Sequence, residues 1–246
     1  MTTVRDLTDP YVDTFTPVPP AAEGVCNVCH GAPNPGWATC WSCDRTVGQV
    51  SLPIIRIAPI TLYEPMGQMH HVLRKYKDGP PELQRRFKPR VAALLGRFLQ
   101  HHASCIGEWD VLTTVPSSKG RTGTHPLAQA VQMVPDLAVA YSDLLSIGPH
   151  PAHHGAASDL GFTVNAPVQG RRVLLVDDTF TSGAEVQSAA SALQLAGAAI
   201  PAAVVIGRYI DPRFNDASKQ LWEQAHARPF RFERCCLCDP PWPDSL

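Results

Sequence analysis

The chain lacks a strong charge of either sign. Its 21 Lys and Arg stand against 22 Asp and Glu, a net charge of −1 over 246 residues. A protein that coats nucleic acid through its overall field is therefore not expected. Long hydrophobic runs are missing too. The longest apolar stretch, residues 195–207, is too short to span a bilayer and is interrupted by Pro201. The opening residues, MTTVRDLTDPYVDTF, hold no basic start followed by an apolar block, so no signal peptide is expected. A cytoplasmic location without a membrane span, and with reduced thiols, follows as the expectation. No internal repeat is visible.

What is present suits one main domain with a small appendage: 44% hydrophobic residues are enough for a sizeable core. The most informative stretch is VLLVDDTFTSG, residues 173–183. Arg171 and Arg172 precede four apolar residues, Val173, Leu174, Leu175 and Val176, a run typical of parallel strands covered on both faces. Two acids follow, then a hydroxyl-rich turn that opens a helix expected from Ser182 to Ala196. Ser182 and Glu185 have capping-box spacing, and Gly197 supplies the stop. A second apolar strand, residues 202–207, completes a βαβ unit whose acids lie where open α/β sheets bind ligands.

The residue order implies a chemistry. Backbone N–H groups of residues 181–184 point out of the helix start toward a phosphate. Thr179, Thr181 and Ser182 add hydroxyl donors, Ala184 supplies the last of these N–H groups, and Gly183 leaves room for close approach. Asp177 and Asp178 are placed to accept hydrogen bonds from the vicinal hydroxyls of a sugar, each charge-assisted bond worth about 1.5–3 kcal/mol. Together these groups read as a grip for ribose 5-phosphate. The plainer alternative is an ordinary strand-to-helix turn capped by Ser182.

Cysteine supplies the second signal. Cys26-Asn-Val-Cys29 and Cys40-Trp-Ser-Cys43 are two CxxC knuckles separated by ten residues rich in turn formers. Four thiolates so spaced can close a tetrahedron around Zn²⁺, and structural sites use all four positions. A redox CxxC or a disulfide pair is the competing reading. His30 adjoins a knuckle as a bystander. Cys235, Cys236 and Cys238 show no nearby fourth ligand and read as an inert tail or part of a second metal site; Cys105 reads as a small core residue.

Four segments are expected. They are a loose arm (1–20), a zinc ribbon (21–50), the main α/β domain (51–210), and a C-terminal helix with a Pro/Cys-rich tail (211–246). Residues 50–62 read as an extended segment broken by Pro53 and Pro59, and residues 66–77 and 82–103 as helices. Residues 109–115 read as the first strand of the sheet, 127–134 as helix, 137–141 as strand, and 142–169 as weakly patterned.

The signature VLLVDDTFTSG resembles that of the type I phosphoribosyltransferases, which bind phosphoribosyl pyrophosphate (PRPP) through a hydrophobic strand, two acids and a Thr/Ser-Gly loop. Glu185 stands where many members carry a threonine. The wider order is similar to the ComF/GntX family: zinc ribbon, then LYEPMGQMHHVLRKYKDG with Tyr63, Lys75, Tyr76 and Lys77, then a strand ending in Val-Pro, then the signature. This resemblance covers residues 24–210. In place of the family's arginine-rich hood, the chain has KGRTGTHPLAQ.

The resemblance implies a type I phosphoribosyltransferase fold, a parallel-rich sheet flanked by helices, with an N-terminal zinc ribbon. It implies transfer of 5-phosphoribose from PRPP to a nitrogenous acceptor, with Mg²⁺ arriving on the substrate. Asp177 and Asp178 would take the sugar hydroxyls, and residues 179 and 181–184 the 5-phosphate. Ser117, Ser118, Lys119 and Arg121, in the turn after the first strand, would take the pyrophosphate. Thr181 occupies a place where some purine enzymes carry an acid, so no general base is evident. A non-catalytic PRPP or nucleotide sensor, or an adaptor for a DNA-processing partner in DNA uptake, are the other functions it admits.

Two further features invite partners. Residues 74–97 hold eight Lys/Arg against Asp78 and Glu82, a local net charge of +6. That run suits PRPP, a nucleotide or single-stranded DNA, although only Tyr76 and Phe87 interleave it and a solvated helix face is the plainer reading. His150, His153 and His154 could form a lid or a metal site. His70-His71 and His101-His102 are sequential pairs that point to different helix faces and do not make one site.

Overall fold

The computed structural model describes residues 3–117, 124–152 and 155–242. Its centre is a four-stranded, all-parallel sheet in which residues 57–63, 203–209, 173–180 and 111–114 lie side by side in that order. In chain order the elements begin with α1 (Val4–Thr8), a 3₁₀ turn (Asp9–Thr14), α2 (Trp41–Val47), β1 (Ile57–Tyr63), α3 (Gln68–Asp78), α4 (Pro81–Ile106) and β2 (Val111–Thr114). They continue with α5 (Pro126–Val131), α6 (Pro135–Ala140), β3 (Leu145–Ile147), β4 (Phe162–Val164), β5 (Val173–Phe180), α7 (Ala184–Leu195), β6 (Ala203–Tyr209) and α8 (Asp216–His226).

The sheet is apolar because it is covered on both faces. Period-two alternation divides each strand between two cores. Leu174 and Val176 join Leu73, Tyr76, Leu94, Leu95 and Phe98 on the α3–α4 side. Val173 and Leu175 join Val186, Ala189, Ala190 and Leu193 of α7, with Cys26, Cys29, Cys40 and Cys43, on the other side. The chain is thus α/β, with a parallel sheet flanked by helices and a cysteine cluster near its N-terminus.

Several expectations need correction. The sheet begins at β1, not at residues 109–115. Residues 57–63 are a fully buried edge strand paired with β6 alone in the sheet, and Pro59 is tolerated there because an edge strand can spare an N–H. Residues 137–141 are not a strand: Pro135 opens α6, and only Tyr141 makes a bridge, to Leu112. The weakly patterned stretch after residue 142 contains an antiparallel pair, β3 and β4.

The two ends of the chain pack together. Thr3 and Asp6 form a capping box at α1, and Arg97 of α4 pairs with Asp9. Phe15 packs edge-on against Phe230 and Phe232, at 5.2 and 6.3 Å between ring centroids. The guanidinium of Arg97 lies 3.9 Å above the Phe232 ring. At least three of the eight basic residues on α3 and α4 are engaged within the protein: Arg97 as described, Lys77 by Asp178, and Arg90 stacked 5.0 Å from the Tyr11 ring. Among the described residues, no helix is long and apolar enough to cross a membrane.

Candidate functional site

The acid pair lies at the carboxyl end of β5, but that strand runs farther than its apolar core suggests, through both acids to Phe180. Alternation along a continuous strand sends adjacent side chains to opposite faces. Asp178 takes the face of its even-numbered neighbours and meets α3. Asp177 takes the α7 face, where Glu185 lies close enough to act on its charge.

Asp178 is buried and well supplied with donors. Lys77 Nζ reaches Oδ1 at 2.8 Å, Thr179 Oγ1 donates to the same oxygen at 2.9 Å, and the Tyr76 hydroxyl donates to Oδ2. Burial pushes its carboxyl up, but the Lys77 ammonium and these hydrogen bonds prevail and hold it below the usual carboxylate range. Asp177 behaves oppositely. Its own burial and the charges of Asp178 and Glu185 push its carboxyl well up, against a backbone hydrogen bond from Asp178 N at 2.7 Å. One acid is a fixed anion and its neighbour tends to keep a proton.

The loop after the acids also departs from expectation. Helix α7 starts at Ala184 with Gly183 as N-cap, so the Ser182–Glu185 capping box does not set the helix start. Ser182 Oγ instead accepts from Ala184 N at 3.4 Å and Gly155 N at 3.2 Å, tying the loop to the segment after β3. Gly183 is left-handed (φ +81°), and an added Cβ would collide with the Phe180 ring. The glycine is thus required by the packing of its own loop. Thr181 is exposed, Thr179 half-buried, and Ser182, Gly183 and Ala184 buried.

Strand β2 pairs with β5, Thr114 opposite Val176, and Val115 N donates to Val176 O at 2.9 Å. Residues 115–117 therefore run beside the acid pair, which places Ser117 at the same end of the sheet. Ser118, Lys119 and Arg121 lie outside the described residues, as do His153 and His154.

The four N-terminal cysteines converge. The ligand atoms of Cys26, Cys29, Cys40 and Cys43 all lie within 4.8 Å of one another, and all four residues are buried. Cys29 Sγ and Cys40 Sγ stand 3.7 Å apart, too far for a disulfide and near a tetrahedral edge around zinc. Cys40 N and Cys43 N donate to Cys26 Sγ and Cys40 Sγ at 3.3 and 3.4 Å, as suits thiolates. His30, at φ +57°, turns its Nδ1 to Pro19 O at 3.0 Å and stays out of the cluster. These residues fit a metal such as zinc.

Sequence reasoning missed Arg208. It is buried, packs 5.1 Å from the Phe180 ring, and donates from Nη1 to the carbonyls of Phe180 and Thr181 (3.2 Å each) and Tyr209. The thiol cluster is its electrostatic neighbour: burial pushes the guanidinium down, but Cys29, Cys40 and Cys43 outweigh it and raise its affinity for the proton. Four thiolates on a bound Zn²⁺ would carry an excess negative charge, which this arginine is placed to offset. Thr46 of α2 adds a 3.5 Å bond to Ser182 O. The segment that carries the cysteine cluster thereby buttresses the loop that follows the acids. The available signal was one charged residue in the apolar run of β6.

The C-terminal cysteines are not an inert tail. Cys235 and Cys238 meet His102 and Cys105 of α4, with their ligand atoms within 4.8 Å of one another. Cys105 is half-buried and packs against the α3–α4 core as expected, but its thiol also faces this group.

A scan of protein-family models matches none of them, and a search of curated proteins returns no match. The candidate site is defined by its chemistry: a buried acid beside a lysine, hydroxyls and amides at a helix start, and a metal-type cysteine cluster behind the loop.

Proposed function

We propose that the chain is a ComF/GntX-like protein of the type I phosphoribosyltransferase fold that binds Mg·PRPP and transfers 5-phosphoribose to a nitrogenous acceptor. What supports this reading most is the position of Asp178, ionised at the carboxyl end of a central parallel strand and one loop from the start of α7. In this reading Asp178 accepts from a ribose hydroxyl after Lys77 turns to the pyrophosphate, and Asp177 takes the neighbouring hydroxyl from the α7 side. The amides of residues 182–184 and the hydroxyls of Thr179, Thr181 and Ser182 hold the 5-phosphate. Ser117, with Ser118, Lys119 and Arg121, holds the pyrophosphate, and Mg²⁺ comes with the substrate and keeps several waters. As the bond from C1 to pyrophosphate breaks and the bond to the acceptor nitrogen forms, the Asp178 charge stabilises the cationic sugar.

A PRPP sensor without transfer is the second reading. It is favoured by the three donors that already occupy Asp178 and by the tendency of Asp177 to hold a proton. Calorimetry with Mg·PRPP on wild type, Asp177→Asn and Asp178→Asn tests both. Binding that Asp178→Asn abolishes is expected; no binding by folded wild type defeats both readings. Pyrophosphate release across a panel of nitrogenous bases then separates transferase from sensor.

A further inference from the structure

The second cysteine cluster joins two segments far apart in the chain. His102 and Cys105 lie three residues apart at the end of α4, hence on one helix face. His102 leaves helical geometry (φ −121°, ψ 16°), the helix kinks there, and the left-handed Gly107 (φ +93°) ends it. Cys235 and Cys238 form a CxxC turn, with Cys238 N and Asp239 N donating to Cys235 O at 3.2 and 3.0 Å. Cys236 faces elsewhere, into a core with Val18, Leu62, Ile210 and Leu221.

The spacings match a tetrahedron. Zinc–sulfur and zinc–nitrogen bonds of about 2.3 and 2.05 Å imply edges of about 3.8 Å between sulfurs and about 3.6 Å between sulfur and nitrogen. Cys105 and Cys235 Sγ are 3.5 Å apart, Cys235 and Cys238 Sγ 3.3 Å, and Cys238 Sγ and His102 Nδ1 3.7 Å. Disulfide bonding requires about 2.05 Å, so no pair here is bonded. The histidine is also set up as a ligand. Its Nε2 lies 2.7 Å from the Phe232 carbonyl, an acceptor only, so Nε2 carries the proton and Nδ1 keeps its lone pair for a metal.

We propose that His102, Cys105, Cys235 and Cys238 form a second structural zinc site, distinct from the N-terminal ribbon. Three thiolates and one imidazole in tetrahedral array select zinc and leave no open position for catalysis. The site staples the tail to the end of α4. It holds Phe230 and Phe232 against Phe15 and Arg97, and so locks both chain ends to the helix that carries much of the basic run.

Metal analysis of the full chain, purified without chelator, tests this. About two zinc ions per chain are expected in wild type and in Cys236→Ser, and about one in Cys238→Ser and in His102→Ala. Cys238 is exposed, so its serine variant removes a ligand with little loss of packing, and an unchanged circular dichroism spectrum separates ligation from folding. Cobalt substitution of Cys26→Ser/Cys29→Ser should still give the absorption of a tetrahedral thiolate site. About one zinc in wild type, retained in Cys238→Ser, overturns the proposal. So does iron in the second site, or a Cys105–Cys235 disulfide in freshly purified protein.

Discussion

Asparagine at position 178 and asparagine at position 177 should have opposite consequences, although the two acids are adjacent. The Asp178 side chain is 4% exposed and that of Lys77 20%. Asp178→Asn keeps the volume but removes the charge that accepts from Lys77, Tyr76 and Thr179. Charge-assisted bonds are worth about 1.5–3 kcal/mol each, but Lys77 can turn to water and the amide retains one acceptor, so a net loss of about 2–4 kcal/mol is expected. For a chain of this size that corresponds to about 4–16 °C in Tm. Asp177→Asn removes a group that burial, Asp178 and Glu185 all disfavour as an anion. Its cost at pH 7 should lie within about 1 kcal/mol of zero, or the variant should gain stability.

The pH dependence carries the sign. A depressed Asp178 contributes stability that is present above the unfolded carboxylate range and is lost as pH falls through its folded value. A raised Asp177 contributes stability that is present below that range and is lost as pH rises through its folded value. Urea unfolding from about pH 5 to 9, a window that keeps thiolate–metal bonds intact, should therefore show Asp177→Asn gaining on wild type as pH rises. An Asp177→Asn variant that loses as much as Asp178→Asn at pH 7, with no pH trend, would refute the opposed roles.

Three other outcomes follow from the same contacts. Arg208→Met should cost about 3–5 kcal/mol in chemical denaturation, because it strands three carbonyls and the thiolate charge, and Arg208→Lys should recover little of it for want of the planar fork. Gly183→Ala should lose at least about 1–2 kcal/mol from the left-handed backbone alone, and Phe180→Leu in the same chain should return part of the remainder by clearing the clash. Cys26→Ser/Cys29→Ser should release about one zinc, and hydrogen exchange should then lose protection both in residues 26–47 and in the loop 180–184; protection retained in that loop would contradict the buttress.

The N-terminal cysteine cluster and the strand–acid–loop–helix order were legible because each is local. A CxxC pair shows its spacing in the chain, and a parallel strand shows its burial as an unbroken apolar run. The errors fell where local signals compete. Residues 137–141 carry β-compatible side chains, but Pro135 starts a helix. Pro59 suggested a broken segment, yet an edge strand has room for it. Ser182 has the spacing of a cap, but the helix starts one residue later, after Gly183, whose left-handed backbone and closeness to Phe180 admit only glycine.

The side-chain sequence by itself determined that β5 is covered on both faces, that two acids stand at its carboxyl end, and that four thiols near the N-terminus are spaced for a metal. Only the tertiary structure decided how those groups are used. How far β5 continues settles which face each acid takes, and packing against α3 makes Asp178 the anion while Asp177 tends to keep its proton. Chain separation hid the rest. Arg208 reaches the N-terminal thiols and the loop after the acids, and His102 and Cys105 meet Cys235 and Cys238 only because the tail folds back along α4. Interactions of that range have no period or spacing in a sequence; they exist only once the core has brought the segments together.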